Sequence, residues 1–141
     1  MKIGQLAKSS GISSSTLRYY EQQGLIQASS RSGSNYRQYT EQDLSTAKFI
    51  KRCRDTGFSL EEVSELLSIR ADKANYVCED AKQIAEQKIL DVESKIQQMQ
   101  QLLNTLHQLS DACCGGVESA EFCRILDTLE ADSSANKENN Q

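Results

Sequence analysis

Five cysteines and a single histidine are the side chains of this 141-residue chain best suited to ligate a metal or act as nucleophiles. Cys113, Cys114 and Cys123 fall within one segment, Asp111-Ala-Cys-Cys-Gly-Gly-Val-Glu-Ser-Ala-Glu-Phe-Cys123. Thiolates that converge from one loop suit a soft or borderline ion, and adjacent cysteines followed by two glycines are an unusual way to build a core. Glu118, in the same segment, can add a harder oxygen donor or can be a surface residue. Cys53 follows Ile50 by three residues and reads as a small buried thiol. His107 reads as a helix-surface residue, and one histidine excludes a multi-histidine site. No Cys-x-x-Cys, glycine-rich phosphate loop or Cys–His pairing supports an enzyme. An iron–sulfur cluster would normally take four closely spaced cysteines from one chain, and this loop has three.

A second set of residues suits nucleic acid. Arg18, Tyr19 and Tyr20 are consecutive, and Arg31, Tyr36 and Arg37 follow within twenty residues. Arginine makes bidentate contacts to phosphate or guanine, and tyrosine hydroxyls reach phosphate oxygens.

These side chains need elements to hold them. Ile3, Leu6 and Ala7 have the spacing of a short amphipathic helix that Gly11 closes. Ser13 or Ser14 caps a second helix, which runs through Leu17 to Glu21 and stops at Gly24. Two short helices joined by a tight glycine turn are the arrangement of a helix-turn-helix, whose second helix enters the major groove. The turn-rich stretch Ser29 to Asn35, followed by alternating Tyr36-Arg37-Gln38-Tyr39, predicts a small two-stranded wing. Thr40 with Asp43, and Ser59 with Glu62, are capping boxes that open a third and a fourth helix. Ala85, Ile89, Val92, Ile96, Met99, Leu103 and Leu106 then recur at alternating intervals of four and three, the seam of a coiled coil over Tyr76 to Ser110. Such a helix must bury its seam, and a symmetric second copy is the simplest partner. A short helix around Ile125, Leu126 and Leu129 follows the cysteine segment, and the polar tail from Asp132 is expected to be disordered.

Cys78 lies seven residues before Ala85, in phase with this seam. The helix between Cys78 and Cys113 spans about 50 Å, so Cys78 cannot join the cysteine cluster of its own chain.

Composition supports this division. The net charge is −4, yet residues 1–54 hold nine basic against three acidic side chains and carry +6, leaving −10 on the remainder. A basic head on an acidic body is the footprint of a nucleic-acid binder that an average conceals. Absence of proline forces no segment out of helix. The chain has no run of 18 apolar residues, and its N-terminus lacks the apolar core of a signal peptide. A cytosolic location with no membrane contact is therefore expected, where an odd cysteine count argues against a disulfide framework. The expected fold is mainly α: residues 1–70 a winged helix-turn-helix DNA-binding head, 74–110 a coiled-coil dimerisation helix, 111–130 a metal-binding loop and short helix, and 131–141 a disordered tail.

The runs Ile3-Gly4-Gln5-Leu6-Ala7, Leu17-Arg18-Tyr19-Tyr20-Glu21, Gly24-Leu25, Tyr36-Arg37-Gln38-Tyr39 and Gly57-Phe58-Ser59-Leu60 closely resemble the signature of the MerR family of transcriptional regulators. The resemblance covers residues 1–130, and the cysteine segment is most similar to that of the family's zinc-responsive type. It implies DNA contacts at Arg18, Tyr19, Tyr20, Arg31, Tyr36 and Arg37. It implies that the coiled coil pairs antiparallel, so that Cys78 of one chain meets Cys113, Cys114 and Cys123 of its partner in a site shared across a homodimer. The resemblance also implies, from cysteine rather than serine at position 78, a sensor of divalent ions. Zinc, Zn(II), is the expected effector, with Cd(II), Pb(II) or Hg(II) as alternatives. In the zinc-responsive type a histidine occupies the place of Glu118, so ion preference and ion count stay open. The resemblance further implies a dimer on a palindromic promoter that, on binding metal, distorts the DNA so that RNA polymerase engages it, with metal-efflux genes as targets. The competing reading from the residues is a cytosolic metal-buffering thiolate protein.

Overall fold

The structure of the protein is a computed structural model that describes residues 1–28, 30–31, 33 and 37–131, with the backbone alone at 30, 31 and 37. It is mainly helical. The chain forms two compact units, Met1–Ile89 and a second that begins at Leu90.

In the first unit α1 spans Ile3–Ser10 and α2 spans Ser14–Gln22. The turn between them is Gly11, which takes a left-handed conformation at φ 78° while its N–H closes α1 on Ala7 O. A side chain there would pay about 1 kcal/mol or more in strain. Ser13 is the cap of α2, its hydroxyl accepting the Thr16 N–H at 3.2 Å. A strand pair follows, β1 (Ser30–Arg31) and β2 (Arg37–Gln38), antiparallel with Arg31 opposite Arg37. The wing is thus present but shorter than the alternation predicts. Tyr36, and the tail from Asp132, lie outside the described residues.

Helix α3 (Glu41–Thr56) and helix α4 (Leu60–Ala71) each begin with a complete capping box, Thr40 with Asp43 and Ser59 with Glu62. Gly57, at φ 106°, terminates α3 and directs the chain into α4. Leu6 from α1, Leu17 from α2, Ile50 from α3 and Val63 from α4 are fully enclosed, and each contributes roughly 1.5–3 kcal/mol by burial. Ile12, Ile26 and Ala47 complete the apolar centre, and Cys53 is buried among them.

A 3-10 turn, Lys73–Asn75, leads to α5 (Cys78–Asp111). This helix of 34 residues begins at Cys78, two residues after the start that periodicity predicts, because the Asp80 carboxylate accepts the Val77 N–H at 2.8 Å and sets the entry. Its seam is exposed: Ile96, Met99 and Leu106 keep 60–66% of their surface. The last element, α6 (Arg124–Ala131), follows a 3-10 turn at Ala120–Phe122. No helix among the described residues is long and apolar enough to cross a membrane.

Candidate nucleic-acid interface and thiol loop

Period sorts the α2 side chains. Leu17 and Tyr20, three apart, face the core, which turns Arg18 and Tyr19 outward. Arg18 is exposed and forms no ion pair with any described residue, leaving its guanidinium available to an anion. Tyr19 is 46% exposed and Tyr20 8%. Tyr20 therefore differs from a free surface contact: its ring belongs to the core, with its centroid 6.3 Å from that of Tyr19.

The base of the wing is tied to α2 by a residue that pattern reading placed only in the wing. Tyr39 is 3% exposed, and its hydroxyl donates to the Glu21 carboxylate on α2. Its backbone N–H donates to Met1 O at 2.7 Å. These bonds fix the strand that carries Arg37 relative to the helix that carries Arg18. The alternation Tyr36-Arg37-Gln38-Tyr39 contained the signal, since one face of such a strand must be buried.

In the second unit, α5 ends as Cys113 N–H donates to Ser110 O at 3.3 Å. Gly115, at φ 72°, then reverses the chain. Ser119 accepts the Glu121 N–H and opens the 3-10 turn that delivers Cys123 to the start of α6. The sulfurs of Cys113 and Cys123 come to 4.0 Å, Cys123 donating. The N–H of Leu126 at the start of α6 holds the Cys123 thiol below its ordinary range, outweighing burial; the Ile125 N–H and Cys113 assist, and the Asp127 carboxylate opposes.

Cys114 does not join that pair. Its thiol faces the Glu118 carboxylate, Sγ to Oε2 3.7 Å. Gly116 leaves room for this approach: a Cβ there would lie 3.1 Å from Glu118 Oε2 and 3.4 Å from Cys114 Sγ, so one of those side chains would have to shift by a few tenths of an ångström. Cys113, Cys114, Glu118 and Cys123 all line one cavity of about 370 Å³. Among the described residues no group of three or more His, Cys, Asp or Glu side chains is gathered closely enough to hold an ion alone. The loop thus brings its donors together in two pairs. Three sulfurs and a carboxylate around one cavity fit a thiophilic divalent ion by their chemistry.

The remaining sulfur and imidazole groups are on other elements. Cys78, the first residue of α5, is exposed. Cys53 is buried in the first unit, and burial pushes its thiol up, as suits a core residue. His107 is exposed on α5.

Comparison with known proteins bears on both sites. The family profile of MerR HTH family regulatory proteins matches residues 1–69, and that described as MerR, DNA binding matches residues 44–109. The HTH-type transcriptional regulator ZntR of Escherichia coli K12 is 41% identical over 136 residues, 96% of this chain and 96% of that protein. Among solved structures, the transcription regulator PbrR691 from Ralstonia metallidurans CH34, in complex with lead(II), superposes with a TM-score of 0.82 at 32% identity. That match covers 92% of this chain and 98% of the other. The dual-function transcriptional regulator MerR from Bacillus megaterium MB1, in complex with mercury(II), gives a TM-score of 0.70 at 30% identity, covering 92% and 99%.

Proposed function

We propose, from the premise that the chain belongs to the MerR family of helix-turn-helix regulatory proteins, how its residues divide the work of a metal-responsive transcriptional regulator. Arg18 and Tyr19 on α2 enter the major groove of one half of a palindromic promoter, with Arg31, Tyr36 and Arg37 of the wing on the adjacent backbone. Tyr20 supports them from beneath, through its packing against the core. The protein is a transcriptional regulator rather than an enzyme, so its output is the occupancy and shape of DNA.

Two copies pair along the exposed α5 seam. A 34-residue helix with no buried residue in the single chain is stable in water only when its apolar stripe is covered. Antiparallel pairing brings the exposed Cys78 of one chain to the Cys113–Cys123 loop of the other, where it adds the sulfur that the loop pairs lack. Cys113, Cys114 and Cys123, with Cys78 of the second copy, would then hold the effector ion. Bound there, the ion would link thiolates of the two chains. Zinc is the effector proposed first, because the zinc-named relative ZntR is 41% identical over 96% of both chains; the lead(II) and mercury(II) complexes of the structural relatives make softer ions the alternatives.

Ordering of the loop is coupled to the heads through α5, and the dimer bends and untwists the operator so that RNA polymerase engages both promoter elements. Deformation of this size costs roughly 1–6 kcal/mol, and the ion supplies it only through its higher affinity for the active arrangement. The observation that carries the reading is the approach of Cys113 and Cys123 to 4.0 Å in a cavity shared with Cys114 and Glu118. The deciding experiment titrates the reduced protein with Zn(II), Cd(II), Pb(II) and Hg(II) while following transcription from the promoter it binds. Parallel saturation of binding and transcription is expected for the physiological ion. Metal binding without sequence-specific, salt-dependent DNA binding would instead identify a metal buffer.

A further inference from the structure

Cys113 and Cys123 are arranged for bond formation as well as for ligation. Their sulfurs are 4.0 Å apart, and a disulfide needs about 2.05 Å, so closure is a movement of about 2 Å shared by two side chains. Both residues are partly exposed, which admits a small oxidant. Two of the other thiols compete poorly. Cys114 faces Glu118 at 3.7 Å, and a bond to its neighbour Cys113 would close a strained eight-membered ring. Cys53 is buried in the first unit.

We infer that Cys113 and Cys123 form a reversible intrachain disulfide when metal-free protein meets a hydroperoxide, making the loop a peroxide modification site. In the first step one thiolate attacks hydrogen peroxide. The O–O bond breaks, sulfur gains oxygen and is oxidised to sulfenic acid, and hydroxide leaves to be protonated. In the second, the other thiolate attacks the sulfenic sulfur, forming S–S and expelling the S–O oxygen as hydroxide, which takes a proton to become water. Two thiols lose two electrons in all, one peroxide is reduced, and two waters are released. Partly exposed disulfides of this kind are reopened by thiol–disulfide exchange.

A disulfide sulfur is not a thiolate, so this bond would remove two donors from the metal site. That consequence rests on the metal-sensing reading, whereas the bond itself does not. The oxidised protein would keep its operator and lose its response to the ion, so peroxide would act as an override on metal sensing.

The test treats full-length, reduced, metal-free protein with one equivalent of hydrogen peroxide per chain, blocks remaining thiols with iodoacetamide and maps cross-links by tandem mass spectrometry. Expected are the loss of two thiols per chain and a Cys113–Cys123 linked peptide. The protein should migrate as a single chain on a non-reducing gel, and dithiothreitol should restore all thiols. The Cys114→Ser variant should keep the link, and Cys113→Ser should lose it. A predominant link to any other cysteine, an interchain bond through Cys78, or over-oxidation to sulfinic acid as the main product overturns the inference. A further arm repeats the oxidation in excess Zn(II), where at least tenfold slowing is expected. An unchanged rate with the Cys113–Cys123 link still formed upholds the disulfide and overturns the metal reading.

Discussion

The Lys88 ammonium on α5 lies 2.8 Å from the Glu62 carboxylate on α4, and both side chains keep less than a fifth of their exposure. Glu62 is also the reciprocal half of the α4 capping box, accepting the Ser59 N–H at 2.8 Å. One carboxylate therefore closes the start of α4 and joins it to the opening turns of α5. Burial pushes its pKa up, but the hydrogen bond from Lys88, those from Ser59 and the Lys88 charge together hold it below its ordinary value of 4.5. A depressed carboxylate pKa means the interaction stabilises the fold above the unfolded-state value and is lost as pH falls through the lower folded value.

Glu62→Gln and Lys88→Met should each destabilise the protein near pH 7, and a double-mutant cycle in urea should give a coupling of about 1 kcal/mol. The coupling should be lost as the pH falls through the lowered folded-state pKa of Glu62. A coupling that is independent of pH would show that the contact acts through packing alone.

Arg18→Ala should weaken operator binding about tenfold at fixed salt, in the metal-free and metal-loaded states alike, with a shallower salt dependence. Fluorescence anisotropy on a labelled operator at several salt concentrations measures both quantities. An unchanged dissociation constant would remove Arg18 from the interface. Tyr20→Phe should leave binding within about twofold, because its ring packs in the core.

Cys113→Ser and Cys123→Ser should abolish metal-induced transcription in vitro while leaving operator affinity nearly intact. Loss of DNA binding instead would mean that the loop is required for the fold of the head, contrary to the division into two units.

Cys53 should resist alkylation in the native protein at neutral pH, since burial keeps its thiol protonated and shielded. Mass spectrometry after a short iodoacetamide pulse should find Cys78, Cys113, Cys114 and Cys123 modified and Cys53 untouched until urea unfolds the chain. Rapid native labelling of Cys53 would place it outside the core.

Replacing a seam residue by a charge, as in Leu103→Asp, should convert the dimer to monomer in sedimentation velocity, because a carboxylate in the seam would be buried without a partner. The same charge on the Gln100 position, outside the seam, should leave the dimer unchanged.

Much of this was legible without coordinates. The two capping boxes, the serine cap of α2 (Ser13 of the two that spacing allows) and the glycine stop at Gly11 depend on residues at most four apart, and all occur as the spacing predicts. The α5 seam was equally plain, since helical period is a local property. Legibility failed where neighbours are distant. Two adjacent tyrosines on α2 look alike in sequence, yet the core accepts Tyr20 and leaves Tyr19 outside. Spacing alone makes Tyr39 one more wing residue, whereas its bond to Glu21 spans 18 positions.

The sequence by itself determined the helical order, the basic head and acidic body, the family and the thiol-rich composition of the loop, because composition, caps and period act over one or two turns. Only the tertiary structure decided the partners: Glu62 with Lys88 across two helices, Cys113 with Cys123, and Cys114 with Glu118. Three thiols on one loop are equivalent until the backbone turns; in the folded loop, which passes through the left-handed Gly115, Cys113 meets Cys123 and Cys114 meets Glu118. Which side chains meet is set by where the chain is forced to reverse, and that depends on the whole path rather than on spacing.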